Sequence, residues 1–227
     1  MNDFNSIYNF VSGPLVWLAF IIFIGGSIYR IWSLISLVNK KEKYIYTFMS
    51  LKYSLRSIMH WITPFATVNW RKRPVMTIIT FVFHAGLVIM PLFVSAHVIM
   101  FHNAWGFSWA SLPESFTDAV TLLVIIACVI FLLRRLVLRE VKFLTDASDY
   151  GILLMAVAPF ITGFIASHGA SDYNFWIIAH VICGEIVLVA IPFTKLSHFI
   201  LFFLSRAQLG MDYGIKRGGM KSKGMAW

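Results

Sequence analysis

Long apolar runs recur five times along this 227-residue chain, and each approaches or exceeds the ~20 residues that carry a helix across a bilayer. The runs are 14–38, 75–100, 116–133, 151–167 and 175–204. Hydrocarbon offers the backbone no hydrogen-bond partner, so spanning segments of this kind must be helices, and the alternating pattern of β-barrel strands is missing. The sequence therefore predicts an all-α membrane protein, a bundle of five transmembrane helices.

Composition agrees with that prediction, because 59% of the residues are hydrophobic and only 13% are charged. A water-soluble fold of this length could not bury so much apolar surface. We expect a single domain over 1–227, without a cleavable leader. It would carry a basic inner segment at 40–73 and a flexible cytoplasmic tail at 206–227.

The net charge of +9 is distributed unevenly along the chain. Lysine and arginine follow the first, third and fifth runs, whereas the N-terminal segment and the segments 102–115 and 168–174 contain neither residue. The positive-inside rule then predicts an N-terminus outside and a C-terminus in the cytoplasm. Attraction to anionic lipid accounts for the basic residues, so we expect no nucleic acid partner.

The two cysteines, Cys128 and Cys183, both fall inside apolar runs. The sequence has no C-x-x-C-H motif and no cysteine cluster, which argues against covalently attached haem and against an iron–sulfur centre in this chain. The connecting segments are also too short for a catalytic domain. We therefore expect no catalytic residues, and any chemistry would use side chains within the bundle or a cofactor held there.

Four histidines in the second and fifth runs are the main candidates for such chemistry, because ionisable groups within a span are costly. His180 and His198 are 18 residues apart, which on a continuous helix places both on one face, ~27 Å apart. Counted from the flanking polar residues, His97 matches His180 in depth, and His84 matches His198 to within a turn. Two antiparallel helices would thus present one histidine pair near each membrane surface.

Neutral imidazoles that face each other between helices can serve as axial ligands of a haem iron, a cofactor often housed in a bundle core. Zinc fits this pattern poorly, since it gathers three or four ligands at one point. A proton relay and simple packing remain alternatives.

The outer ligand on the second span has two candidates. His84 and His97 are 13 residues apart and ~220° apart on an ideal helix, so they would share a face only if Pro91 kinks or unwinds the segment. His102 shares the face of His84 without a kink. We favour His97, because His102 lies farther out, beside Asn103, where a haem would be poorly buried.

Three more polar residues are candidates for a functional role. Lys195, one turn before His198, is a candidate partner for a haem propionate. His168, at the outer end of the fourth run, is a candidate contact for a quinone head group. Glu185 lies deep in the fifth run, where it could move a proton or pair with a polar neighbour.

Two segments resemble those of a known family. Residues 180–198, HVICGEIVLVAIPFTKLSH, resemble the last span of the cytochrome b (gamma) subunit of respiratory nitrate reductases, and FHAGLVIMPLFVSAH resembles its second span. The longer histidine spacing around Pro91 is more similar to the membrane subunits of the Hmc, Tmc and Dsr-type redox complexes of sulfate-reducing bacteria.

The resemblance implies two haems b, one held by His97 and His180 outside and one by His84 and His198 inside, often with menaquinone. It also implies a cytoplasmic iron–sulfur partner, a periplasmic multihaem cytochrome c and a location in the bacterial inner membrane. The expected function is a dihaem cytochrome b, the electron-transfer subunit of a quinone-linked oxidoreductase complex in a respiratory chain. A haem-free membrane anchor and a small proton or ion transporter are the alternatives.

Overall fold

The computed structural model of the protein describes residues 2–169 and 172–216, and these residues form helices without a strand. A π-helical turn (Val11–Leu15) and two short 3₁₀ helices (Lys43–Phe48 and Lys195–Ser197) accompany the α-helices. The α-helices are α1 (Asn2–Phe10), α2 (Val16–Lys41), α3 (Leu51–Ile62), α4 (Val68–Lys72), α5 (Pro74–Phe93), α6 (Ser95–Trp105), α7 (Glu114–Val137), α8 (Arg139–Phe143), α9 (Ala147–Ser167), α10 (Tyr173–Ala190) and α11 (His198–Lys216).

Within the described part of the chain, five helical segments are long and apolar enough to cross a membrane, which confirms the predicted fold class. They are Phe4–Lys41, which joins most of α1 to α2, and the helices α5, α7, α9 and α10. The protein is therefore an all-α, multi-pass membrane protein.

The chain forms two compact units. The first comprises Met1–Val16 and Ile79–Val187, and the second comprises Trp17–Ile78 and Leu188–Trp227. His84, His97, His168 and His180 belong to the first unit, whereas His198 belongs to the second.

The core of the first unit lies where α5, α7 and α9 meet. Its buried residues are Phe83, Val124, Ala127, Cys128 and Ala156. A Cβ atom at Gly86 would collide with the side chain of Val124, so the missing side chain allows α5 to approach α7 closely. Cys128 is buried here as a small apolar residue.

The second unit is organised by an antiparallel contact between α3 and α11. A Cβ atom at Gly210 would lie 2.6 Å from Cβ of Ser57, so the two backbones are in close contact there. One turn farther along, the Arg206 guanidinium carbon lies 4.1 Å from the centre of the Trp61 ring. Moving four residues forward along α3, from Ser57 to Trp61, corresponds to moving four residues back along α11, from Gly210 to Arg206. The two helices therefore run in opposite directions.

The predicted fifth span, 175–204, is not one helix. Helix α10 ends at Ala190, residues 191–194 form a turn, and α11 starts only at His198. Pro192, which is fully buried against Gly26 of α2, supplies the reason, because proline cannot donate the helical hydrogen bond and its ring clashes with the preceding turn. The five-turn geometry expected between His180 and His198 therefore does not apply.

The C-terminal segment also differs from the expectation up to residue 216. Residues 206–216 are helical as the end of α11, because Gly210 and Gly214 hold this part of the chain against Tyr53 and Ser57 of α3. Residues 217–227 of the predicted flexible tail lie outside the described residues.

Candidate metal centre

A helix break positions the histidine of the second span. Helix α5 ends at Phe93, Val94 adopts an extended conformation (φ −64°, ψ 133°), and α6 begins at Ser95. The break lies three residues beyond Pro91, so the segment between His84 and His97 is interrupted, as the proline predicted. The interruption re-aims His97, which an uninterrupted helix would carry to a different face.

The break also exposes the last carbonyl groups of α5, which have no partner within their own helix. All four are nevertheless satisfied. Their donors are Val94 N for Met90 O at 3.1 Å, His97 Nδ1 for Pro91 O at 2.9 Å, Trp109 Nε1 for Leu92 O at 2.8 Å, and Leu112 N for Phe93 O at 2.9 Å. Since unpaired carbonyls are costly in a membrane protein, these bonds stabilise the break and fix the ring of His97.

The histidine of the fifth span is positioned by a different helix. His180 of α10 donates from Nδ1 to the carbonyl oxygen of Pro159 in α9, at 2.8 Å. The same ring lies against Gly163, where a Cβ atom would stand 2.8 Å from Nδ1 and 2.9 Å from Cε1. No larger residue at 163 leaves room for the imidazole in this position, so the missing side chain of Gly163 allows the His180 ring to pack here.

These two half-buried imidazoles face each other. Nε2 of His97 lies 3.4 Å from Nε2 of His180, the ring centres are 5.7 Å apart, and the ring planes differ by 20°. Each Nδ1 contacts a carbonyl oxygen, which can only accept, so each Nδ1 carries a proton. In the neutral rings both Nε2 atoms then present lone pairs to each other. Such an arrangement repels itself unless a cation, either a proton or a metal ion, lies between the two atoms.

The donor set fits a metal that needs two protein ligands. Metal-bound histidines usually donate their second ring nitrogen to a carbonyl or carboxylate, as both do here. Two metal–imidazole bonds of about 2 Å would need the Nε2 atoms about 4 Å apart, so the rings, now at 3.4 Å, would have to move slightly apart to admit a metal ion. Within residues 2–169 and 172–216 no three His, Cys, Asp or Glu side chains gather as metal ligands. A zinc site is therefore poorly served, whereas a haem supplies the remaining ligands itself.

The other predicted pair shares part of this pattern. His84 contacts Thr80 O through Nδ1 at 2.8 Å, and His198 contacts Lys195 O through Nδ1 at 2.7 Å. Each ring therefore keeps Nε2 as its acceptor nitrogen. The ligand role of His84 and His198 stays a prediction, as does the propionate contact of Lys195, whose side chain is exposed.

Of the two candidates for the outer ligand, His97 is the one whose ring faces His180. His102 lies five residues farther along α6, is exposed, and accepts a hydrogen bond from Gly106 N through its backbone carbonyl. The choice of His97 over His102 as the outer ligand stays a prediction.

His168 forms a separate site at the end of α9. Its Nδ1 lies 2.9 Å from Phe164 O, and its Nε2 lies 3.3 Å from the Asp118 carboxylate of α7. Both ring nitrogens of His168 therefore face protein oxygens, so the ring offers no nitrogen to a metal, and its contact with a quinone stays a prediction. Asp118 was missed from the sequence because nothing in the spacing joins it to His168.

Glu185 is buried in α10, with 7% of its surface exposed. Its Oε1 atom has no hydrogen-bond partner among the described residues. The structure therefore shows no polar neighbour bonded to this atom, and proton transfer by Glu185 stays a prediction.

Sequence reasoning also missed the residues that hold the two imidazoles. Pro159, Gly163 and Trp109 carry no charge and no metal-ligating atom, so a search for chemical groups passes over them. The one usable signal was the proline four residues before a glycine in the fourth span, a spacing that exposes backbone on one helix face.

Comparison with known proteins shows similarity to a bacterial protein over nearly the full chain. No protein-family model and no solved structure matches it. A protein of Nitratidesulfovibrio vulgaris (strain Hildenborough) is 43% identical over 217 residues, which cover 94% of this chain and 96% of that protein. The chain belongs to the family of that protein. Because the likeness extends over nearly the full length of both proteins, the family shares the whole membrane domain, and the function is argued from the site.

Proposed function

We propose that the protein is a dihaem cytochrome b, one subunit of a respiratory complex in a bacterial inner membrane. It would pass electrons between a quinone pool or a periplasmic multihaem cytochrome c and a cytoplasmic iron–sulfur partner. The observation that carries the proposal is the pair of Nε2 atoms of His97 and His180, which face each other at 3.4 Å with both Nδ1 atoms held by carbonyl groups.

The residues of the chain orient the two ligands and keep them in the required protonation state. The Pro91 and Pro159 carbonyls accept hydrogen bonds from Nδ1–H of the two rings, which fixes the tautomer and makes each Nε2 a better ligand. A haem bound there supplies reversible one-electron transfer, and the surrounding helices limit the access of water. The proposal therefore requires only that the protein position the two ligands and bury the haem.

The second haem of the proposal has His84 and His198 as ligands, with Lys195 near a propionate. Each of these histidines has Nδ1 against a backbone carbonyl, as expected of an axial ligand. We further propose that the N-terminus lies outside and the C-terminus in the cytoplasm, in keeping with the basic segments.

Menaquinone or its quinol would bind near the outer haem. The His168–Asp118 pair supports this part of the proposal, because a quinol must lose its protons when it gives up electrons. The Asp118 carboxylate, which lies beside His168, is suited to accept the first of them.

Absorption spectroscopy of the purified protein tests the proposal. We expect b-type bands that sharpen on reduction with dithionite, and a pyridine haemochrome assay that gives two haems per chain. Protein from haem-replete cells that folds with full helix content but binds no haem would refute the proposal and favour the haem-free anchor.

The transporter alternative has one supporting observation, the buried and unpartnered Oε1 of Glu185. It predicts proton or ion flux into liposomes that contain this chain alone, and loss of that flux in Glu185→Gln. Flux that persists in protein without haem would favour the transporter over the cytochrome.

A further inference from the structure

Helix α3, in the basic segment between the first two spans, has three sectors of different chemistry besides the buried Ser54 and the half-buried Ile58. At ~100° per residue, side chains four positions apart fall into neighbouring directions on one face. The sector that faces α11 contains Tyr53, Ser57 and Trp61, the next contains Lys52, Arg56 and His60, and the third contains Leu51, Leu55, Met59 and Ile62.

The first sector is covered by protein. Gly210 and Gly214 of α11 pack against Tyr53 and Ser57, and Ser57 is fully buried. This contact fixes the rotation of α3 about its axis, so the directions of the other two sectors are also fixed.

The apolar sector is not covered by the described protein. The exposed fractions are 76% for Leu51, 50% for Leu55, 57% for Met59 and 43% for Ile62. Four large apolar side chains in one row along an ~18 Å helix make a continuous stripe, which is unfavourable in water.

The second sector is cationic and lies directly beside that stripe. Helix α3 contains no Asp or Glu. The pKa of His60 is lowered, first by partial burial and then by the nearby charges of Arg56 and Arg71, so positive charge is concentrated around it. An apolar stripe flanked by cations matches the chemistry of an anionic phospholipid, which has acyl chains below a phosphate.

The position of α3 in the chain keeps it at the membrane surface. It begins ten residues after Lys41, the end of the first candidate span, and ends twelve residues before Pro74, the start of the second. Consecutive spans enter and leave on the same side, so both ends of α3 are tethered to one face of the bilayer.

We propose that α3 lies in the plane of that face, with the stripe of Leu51, Leu55, Met59 and Ile62 in the acyl boundary and Lys52 and Arg56 at anionic lipid head groups. The protein then has a lipid-dependent surface helix in addition to its spans. The proposal is independent of the haem proposal, because it concerns other residues and needs no cofactor.

Spin-label accessibility of the full chain in vesicles tests this placement. The labels are attached at Leu55→Cys, in the stripe, and at Lys52→Cys, in the cationic sector, in a Cys128→Ala/Cys183→Ala background. Vesicles contain phosphatidylcholine with or without phosphatidylglycerol. With phosphatidylglycerol, we expect position 55 to collide several-fold more often with oxygen than with a water-soluble nickel chelate, and position 52 to show the reverse preference.

Two results at position 55 would overturn the proposal. Preference for the nickel chelate means that the stripe is solvated, and protection from both reagents means that protein covers it. Met59→Cys repeats the measurement in the same sector if Leu55→Cys does not fold.

The role of the cations is tested by Lys52→Gln/Arg56→Gln with the label at position 59. We expect shallower immersion of this variant in vesicles with phosphatidylglycerol, and equal immersion of the variant and the parent protein without it. Immersion of the parent protein that does not depend on phosphatidylglycerol would overturn the assignment of anionic lipid.

Discussion

The Nε2 atoms of His97 and His180 lie 3.4 Å apart, and each ring is fixed through Nδ1 by the carbonyl of a proline. The two prolines act through different structures. Pro91 lies at the end of α5, where the helix break leaves its carbonyl available, whereas Pro159 lies inside α9 and presents its carbonyl to α10. Two unrelated backbone features thus impose the same tautomer on both rings, which is the property a pair of axial ligands needs.

Alanine substitutions at His97 and at His102 should show which of the two histidines is the outer haem ligand. We expect His97→Ala to lose about one of the two haems per chain, because a haem with one protein ligand is held weakly. His102→Ala should keep both. The pyridine haemochrome assay on purified protein measures the difference, and two haems in His97→Ala would reject the assignment.

A methyl group at Gly163 should displace the imidazole of His180. The new Cβ atom would lie 2.8 Å from Nδ1, too close for the ring to stay in place, and overpacking of this kind costs about 1–3 kcal/mol. We expect Gly163→Ala to change the low-spin haem signal in electron paramagnetic resonance, or to lose it.

Gly151→Ala is the matched control on the same helix, because no atom lies within 4 Å of a Cβ atom there. It should leave the signal as in the parent protein. Identical spectra for the two alanine variants would contradict the conclusion that Gly163 makes room for the His180 ring.

The indole of Trp109 should stabilise the helix break. Trp109→Phe removes the exposed hydrogen bond to Leu92 O, which costs about 0.5–1.5 kcal/mol. For a protein of this size we expect the melting temperature to fall by roughly 2–4 °C per kcal/mol. Thermal unfolding in detergent measures the change. Phe107→Leu, which alters the same aromatic cluster but removes no hydrogen bond to α5, should have the smaller effect, and the opposite order would argue against the capping role.

The contact between α3 and α11 should tolerate no side chain at Gly210. Its Cβ atom would come within 2.6 Å of Cβ of Ser57, so Gly210→Ala should force the helices apart and lower the free energy of unfolding by about 1–3 kcal/mol. Gly25→Ala on α2, where nothing lies within 4 Å, should be neutral or stabilising, since alanine favours helix over glycine. Thermal unfolding of both variants decides, and equal melting temperatures would disprove the close contact.

Mild acid should destabilise the second unit through His60. Burial and the charges of Arg56 and Arg71 lower the pKa of His60 in the folded protein, so the unfolded chain binds its proton first as the pH falls. The contribution to stability is present above the ordinary value of about 6.5 and is lost progressively below it. We expect the difference in melting temperature between pH 8 and pH 5 to be smaller in His60→Gln than in the parent protein. A larger difference would mean that the sign is wrong.

Properties that belong to a short segment could be predicted from the sequence. The course of the fifth span could not, because the prediction assumed that an apolar run continues as one helix. The five spans follow from the length of apolar runs, and the break between His84 and His97 follows from Pro91. Pro192 likewise interrupts the helix of the fifth apolar run before His198. An unbroken hydrophobic pattern says that a segment avoids water, but not that its backbone continues as one helix.

The sequence by itself determined that this chain is a membrane protein with five transmembrane helices and that histidines lie within its apolar runs, because hydrophobicity and residue type belong to each position separately. Only the tertiary structure decided that His97 faces His180 and that the carbonyls of Pro91 and Pro159 orient both rings. The contacts of His180 with His97 and with Pro159 join residues 83 and 21 positions apart, and they exist because a helix break and a glycine bring distant groups together. Contacts of this kind depend on how helices pack, which no single segment encodes.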